Sequence, residues 1–446
     1  MKKILFTAIL TLGIASLMVA QDKVWTMEEC MQYAVENSPV VKKKEYAYDT
    51  NKADRLAAIA SFLPSIGSDV TARYNYGRSI DPETNTYKNT TTFNNYYNAY
   101  TSIPLFYGGR LVNQWRLSKV NVKAGDNDIQ KAKDDQAIKT MAAFVDVVYY
   151  RGTVRYAAEK LEESKKTLYK TTRQEELGLK GKSDKAQFEA QVAEDEYILI
   201  NNQNLYNTAM LSLKEVMNYP YDQELVVDTL IADVMYLTPQ ESIAEIYDYA
   251  TVANPVALQV EFSLKSKKML HLIEKGRLFP TISFNAGIST SYYDNLKSDV
   301  SPASFKNQFK NNRGEYIGVS LSFPIFSRLE RVTDIRRARN NVRIAEQEKA
   351  EILRQLQTTI EKAVHDRDGY AKEAVQMDKK EKADALSYQI TLRKYEEGLM
   401  SPIDLQTTAN TLLMSRANLL QRKLMYLIKC KEVEYYKGIP LVQEVK

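Results

Sequence analysis

The clearest pattern along the chain is an alternation of period two. In TISFNAGISTSYY, residues 281–293, the even positions carry Ile282, Phe284, Ala286, Ile288, Thr290 and Tyr292. The odd positions carry Thr281, Ser283, Asn285, Gly287, Ser289 and Ser291. EYIGVSLSFPIF alternates as cleanly, with Ile317, Val319, Leu321 and Phe323 set against Tyr316, Gly318, Ser320 and Ser322. Successive side chains of a strand point to opposite faces, so both segments predict strands with one apolar face and one small, polar face. A weaker pair lies upstream: Ile66, Val70, Ala72, Tyr74 and Tyr76 share a face, and NNYYNAYTSI is rich in tyrosine. The four strands are placed at about 65–79, 92–104, 281–293 and 314–324. Strands of about ten residues cross a bilayer when tilted, and tyrosines near the strand ends suit an aromatic girdle. A water-soluble sandwich also alternates. Four strands could not build a large one, however, and each pair here is flanked by very long helical stretches, so the pattern favours a membrane barrel.

Those stretches carry the second periodicity. No proline occurs from Pro104 to about Arg173, nor from Pro324 to about Arg393. Some seventy residues of helix span roughly 100 Å at 1.5 Å per residue, a coiled-coil or helical-wall length. Val112, Trp115 and Val122 in the first stretch match Val332, Ile335 and Val342 in the second, with Lys119 and Arg339 interrupting both seams. Leu353, Leu356, Ile360 and Ala363 continue the spacing. The apolar stripe is narrow, as in helices that touch neighbours along one seam and water elsewhere.

The two halves are copies of one unit. SIPLFYGGRLVNQWRLSKV (102–120) aligns with SFPIFSRLERVTDIRRARN (322–340), an offset of 220 that also joins Gly178-Leu179 to Gly398-Leu399, Asp184 to Asp404 and Pro220 to Pro440. Upstream the offset is 216, through Pro39 and Pro255 and through Pro64 and Pro280. Each copy reads helix, helix, strand pair, very long helix, glycine turn, helix. The first copy is 21–220, with its hairpin at about 105–217. The second is 221–446, with its hairpin at about 325–437 and a C-terminal tail. A barrel in lipid has no open edges, and the smallest have about eight strands, so four strands per chain imply oligomerisation. Eight strands from a dimer and twelve from a trimer both remain open at this point.

Lys2 and Lys3 followed by ILFTAILTLGIASLMVA mark residues 1–20 as a cleaved secretory signal, with cleavage after Ala20 or Ala15. No cysteine follows the apolar run as a lipid attachment site. Cys30 and Cys430 sit at opposite ends of the sequence, and the sequence leaves open whether they pair. The formal charge of +5 is small against 61 basic and 56 acidic groups, and the basic residues are dispersed, so no nucleic-acid partner is indicated. The two histidines, His271 and His365, lack a second histidine or cysteine at metal-ligand spacing and read as solvated surface. No Gly-x-Ser-x-Gly elbow or Cys–His pair appears, and runs such as KAKDD and DKKEKAD read as solvated helix faces. Neither a catalytic set nor a cofactor site is expected. LGLKGKSD, residues 177–184, contains a Gly-Lys-Ser, but the position five before Gly181 is Glu176 and no apolar strand precedes it. A phosphate loop is excluded there.

The duplicated strand pair and long hairpin, with Pro104-Leu105-Phe106-Tyr107-Gly108-Gly109 and the Gly-x5-Asp turns, resemble the TolC family of outer-membrane efflux proteins. The likeness runs from about Trp25 to Pro440. It implies a mixed α and transmembrane β fold: a homotrimer in outer-membrane lipid, with a shared twelve-stranded β-barrel above a periplasmic α-helical barrel. An equatorial band would come from 22–37, 218–250 and the tail. It also implies an exit duct for efflux or secretion. The duct would dock a periplasmic membrane fusion (adaptor) protein and, through it, an inner-membrane pump of RND or ABC type. The alternative is a non-conducting, barrel-anchored coiled-coil scaffold.

By the same resemblance, LGLKGKSD and EEGLMSPID (396–404) are the hairpin tips that meet the adaptor, through Gly178, Leu179, Gly398, Leu399 and Ser401. Only glycine adopts a left-handed turn cheaply, and Ser183-Asp184 and Ser401 can cap the returning helices. The implied entrance gate is Tyr395, Asp184, Asp404 and Thr407. The Tyr395 hydroxyl would donate to the Asp184 carboxylate as a latch, and Asp404 would ring the axis. Met400 stands where the family has an arginine latch, and Thr407 where it has a second acidic ring. Plain helix capping is the competing role for Asp184 and Asp404.

Overall fold

The computed structural model describes residues 23–81, 85–229, 241–298 and 301–442. The expected signal segment 1–20 lies outside the described residues, as do 82–84, 299–300 and, within the expected equatorial band, 230–240. A short strand β1 (Val24–Trp25) leads into α1 (Met27–Asn37), which Thr26 opens with a capping box to Glu29. Ser38 then caps α2 (Pro39–Ala60), with Pro39 at the first helical position, where the missing N–H costs nothing. β2 (Ser65–Asp81) and β3 (Thr86–Tyr107) follow, then the hairpin of α3 (Arg110–Glu176) and α4 (Lys182–Met217).

The second copy repeats the order: β4 (Val226–Val227), α5 (Ile243–Ala253), α6 (Pro255–Gly276), β5 (Thr281–Asn295), α7 (Phe305–Asn311), β6 (Gly314–Ser322), α8 (Glu330–Glu396) and α9 (Pro402–Tyr436). Asn254 caps α6 as Ser38 caps α2, again with proline at the first position. Helices α3 and α8 each have 67 residues, about 100 Å.

The larger sheet has the order β2-β3-β5-β6, antiparallel throughout. Three of its strands exceed the ten residues expected from the alternation, at 17 for β2, 22 for β3 and 15 for β5. Most of the residues added at the start of β3, 86–91, are polar, and the alternation does not mark them. β3 also continues past Pro104, through a register shift between Pro104 and Phe106 that accommodates the missing N–H. On the apolar face Ile66, Ile317, Val319 and Val70 are all widely exposed. On the polar face Tyr100 lies over Gly67 and Tyr316 over Gly287, each the direct cross-strand partner. An aromatic ring thus covers the backbone that a strand glycine leaves bare.

Between β5 and β6, in the mostly polar stretch 294–313, the structure places α7. The apolar seam also differs from expectation at its upper end, where Val112 and Val332 are exposed and Leu117, Gly125, Ala338 and Ala345 are buried instead. There α3 runs beside α2 closely enough that a Cβ on Gly125 would meet Asn51 at 2.7 Å, so small residues set the contact. Lower down, Leu356, Ile360 and Ala363 are buried with Ile246, Ala250 and Val433 as the seam predicts.

The main core lies midway along α3, where α1, α3, α4 and α9 bury Phe144, Val147, Leu213, Met217 and Leu424. Cys30 lies in this core, and burial pushes its thiol up to about 12. Both thiols are free. β1 pairs in parallel with β4, tying the first copy to the second.

Candidate functional site at the hairpin tips

Both hairpins turn by the same backbone device. In the first, Gly178 N–H donates to Glu175 O (2.9 Å) and Leu179 N–H to Gln174 O (2.8 Å). In the second, Gly398 N–H donates to Tyr395 O (3.0 Å) and Leu399 N–H to Lys394 O (2.8 Å). These are the paired bonds of a Schellman closure, which needs its first residue past the cap in the left-handed region. Gly178 has φ +74° and Gly398 φ +78°, and a Cβ at either would meet nothing within 4 Å. The demand at both positions is therefore conformational and not steric crowding. Leu177, Leu179, Leu399 and Ile403 stand exposed beside the turns, at 74, 70, 69 and 59%.

The returning helices start differently. Ser401 caps α9: its hydroxyl accepts from Asp404 N–H (3.2 Å), while Asp404 Oδ2 accepts from Ser401 N–H (3.2 Å) and Oγ (2.7 Å). These donors, the Ser401 hydroxyl first and its backbone second, hold the Asp404 carboxyl below the usual aspartate range. Helix α4 begins at Lys182 with Gly181 as its N-cap and no side-chain capping bond. The expected cap from Ser183-Asp184 is therefore not formed. The helix starts two residues too early for it, which leaves Ser183 and Asp184 inside the first turn. Thr407 is exposed, its hydroxyl donating to Ile403 O (2.8 Å) within its own helix.

The expected latch has a different partner as well. Tyr395 is buried, at 3% exposure, and its hydroxyl shares a 3.0 Å hydrogen bond with the Thr171 hydroxyl on α3, not with the Asp184 carboxylate. Its ring packs edge-on against Phe188 (5.3 Å between centroids) in a cluster with Leu405, to which Leu168, Leu392 and Met400 add. Packing decides the partner: the ring enters the apolar wedge between hairpins, and Thr171 is what its hydroxyl meets there. Burial raises the phenol above its ordinary range, the Thr171 bond opposes this, and the nearby Asp184 charge adds to the rise. Lys180, from the octapeptide with the false phosphate loop, places its ammonium 4.5 Å from the Tyr395 ring centroid. Lys170 on α3 pairs with Glu396 on α8 at 2.6 Å.

The structure thus joins Tyr395 and Met400 into one inter-hairpin cluster and leaves Asp404, Thr407 and the tip leucines facing outward. Thr171, Phe188 and Lys180 were missed in the sequence. Only Phe188, an aromatic just inside a charged helix, carried a local signal. Among the described residues no three acidic, cysteine or histidine side chains converge as a metal site, and no helix is long and apolar enough to cross a membrane.

No family model matches the chain, and no curated protein matches it in sequence. Solved structures do match it. The Campylobacter jejuni CmeC outer membrane channel aligns at TM-score 0.80 and 16% identity, covering 94% of this chain and 87% of that one. The outer membrane protein VceC from Vibrio cholerae aligns at TM-score 0.78 and 12% identity, covering 92% and 96%. The open state of the Neisseria gonorrhoeae MtrE outer membrane channel aligns at 0.74 and 15%, covering 94% and 90%. The chain has the TolC-like fold. Within the TolC-like fold the tips described here are the far ends of both helical hairpins, remote from the sheet.

Proposed function

We propose that this chain is a passive exit duct in the outer membrane, trimeric and reaching into the periplasm. Its tips would meet a periplasmic adaptor that couples it to an energised inner-membrane pump. The observation that carries the reading is the four-stranded sheet whose outer strands, β2 and β6, have no strand partner on their free edges among the described residues. With its apolar face bare, such a sheet is stable in lipid only when copies close it into a barrel. Three copies supply twelve strands, an ordinary number for a conducting barrel.

The helices support the same assembly. α6 packs between α3 and α8, whereas its repeat twin α2 packs on α3 and leaves Tyr46, Leu56 and Ile59 exposed. A neighbouring copy's α8 would cover them. At the tips, exposed Leu177, Leu179 and Leu399 present apolar knobs to an adaptor, and Asp404 faces the entrance. The leucines flank turns whose backbone the two Schellman closures fix, which suits docking.

Purified protein added to a planar bilayer is expected to give discrete conductance steps. Folded, inserted protein that never conducts would favour the scaffold reading. Cysteines placed on the free edges of β2 and β6 are expected to cross-link to a species of three chains and no higher. Gly398→Glu is expected to abolish adaptor co-purification while leaving conductance intact.

A further inference from the structure

β5 outruns its neighbour. β6 pairs with it only as far as Ser289↔Gly314, while β5 continues to Asn295. The bare edge above that point is satisfied by side chains from α7 and the residue after it. The Gln308 amide accepts from Tyr293 N–H (3.0 Å) and donates to Tyr293 O (2.9 Å), and Asn312 Nδ2 donates to Ser291 O (2.8 Å). The Thr290 hydroxyl donates to Phe309 O (2.7 Å). Phe305 and Phe309 pack on Tyr97, at 6.2 and 5.3 Å between ring centroids, and Phe305 on Tyr292 at 5.6 Å.

The side of the sheet on which this happens is decisive. Tyr97 is the cross-strand partner of Thr290, and Thr290 and Tyr292 continue the face that bears Ile282, Phe284 and Ile288. α7 is therefore fastened to the apolar face, at the end of the sheet remote from the long helices. The helix contains two lysines and no acid. Lys306 and Lys310 are exposed, one turn apart, with no ion-pair partner among the described residues. Of the charged groups nearby, Arg313 is paired with Glu315, Asp294 is the last residue but one of β5, and Lys297 is exposed beyond it.

We propose that α7 is a docking site for the phosphorylated headgroup of an outer-leaflet lipid, held by Lys306 and Lys310. The inference rests on the outer-membrane reading above. Apolar side chains below and unpaired ammonium groups above match an amphiphile whose phosphates sit over its acyl chains. Lys306 and Lys310 stand open to solvent on α7. A soluble phosphate would meet only screened charge there, whereas a lipid is held in place by the face beneath.

The test uses the full-length protein in detergent micelles, with diphosphoryl lipid A as the probe and lipid retention counted by native mass spectrometry. Binding is expected to weaken about fivefold for each of Lys306→Gln and Lys310→Gln, and to fall with salt. Phosphatidylcholine retention is expected to stay the same, as is single-channel conductance. Equal lipid A retention by the double variant, in a protein that conducts normally, overturns this inference alone. Competition by millimolar inorganic phosphate also overturns it, since the site would then take a soluble anion. Wild-type protein that neither inserts nor conducts removes the outer-membrane reading, and this inference falls with it.

Discussion

The two hairpins superpose element for element at an offset of 220 residues, yet each stabilises its shaft with a differently arranged polar trio. In the first, Lys160 on α3 meets Asp195 on α4 at 2.7 Å, and Ser164 on α3 donates to the same carboxylate at 2.5 Å. The equivalent positions in the second are Lys380, Ser415 and Asp384. The lysine is kept, but the acid and the serine have changed helices: Lys380 donates to Ser415 at 2.8 Å, and Ser415 donates to Asp384. What persists between the copies is a lysine, a serine and a carboxylate bridging the hairpin, whichever helix carries the acid. The exchange changes exposure. The Lys160 and Asp195 side chains are 9% and 0% exposed, against 48% and 20% for Lys380 and Asp384.

That contrast predicts unequal costs. Asp195→Ala leaves the buried Lys160 ammonium without its counter-charge, with only the neutral Asn410 amide oxygen as a partner, so a loss of about 3 kcal/mol is expected in thermal melts of the detergent-solubilised protein, followed by helical circular dichroism. Asp384→Ala leaves Lys380 free to reach water and is expected to cost less than about 1 kcal/mol. The double change Ser164→Asp with Asp195→Ser transplants the second arrangement into the first hairpin and is expected to restore most of the loss. A double variant no better than Asp195→Ala would show that the two arrangements are not equivalent.

The next comparison lies where strand passes into long helix. Gly108 and Gly109 have φ +63° and +75°, and their counterparts Arg328 and Leu329 adopt φ +52° and +65°. The turn survived the loss of its glycines because a Cβ is sterically possible in one copy and not in the other. A Cβ on Gly108 would lie 2.1 Å from the Gly276 carbonyl oxygen. Gly108→Ala is therefore expected to cost about 2–4 kcal/mol by the same melts, the sum of left-handed strain and overpacking. Leu329→Gly is expected to stabilise, by up to about 1 kcal/mol, and a loss there would mean that the Leu329 side chain has a contact of its own to defend.

The smallest asymmetry is at the tips. Ser401→Ala removes a capping box and is expected to cost about 1 kcal/mol, whereas Ser183→Ala should fall within about 0.5 kcal/mol of wild type. The α9 cap also depends on pH. The Asp404 carboxyl is depressed in the folded protein, so its contribution is complete above the ordinary aspartate range and is lost as pH falls through the lowered value. In wild type, hydrogen exchange at the start of α9 is expected to quicken in acid before that at the start of α4. Simultaneous quickening would remove the asymmetry.

Much of this was legible in the chain, for identifiable reasons. Proline-free stretches at one offset announced the hairpins, and Gly178 and Gly398 announced the turns, because a left-handed residue without glycine is costly. Arg328 and Leu329 adopt that conformation without the residue that signals it, so the equivalent turn was visible only by alignment. α7 escaped notice because seven residues are too few to establish a helical period. The partner of Tyr395 could not be read at all. The choice between Thr171 and Asp184 is made by how one hairpin wedges against the other, and no spacing along the chain encodes that.

The equal lengths of α3 and α8 act as a ruler on evolutionary change. One residue inserted in either helix would turn every later side chain by about 100° and push that tip about 1.5 Å past its twin. Length in this architecture can therefore drift only in concert: near-whole turns, added or removed at matching heights in both helices of both hairpins. Relatives with a deeper or shallower reach should differ by matched insertions of about seven or eleven residues, the numbers that return a helix to its original face.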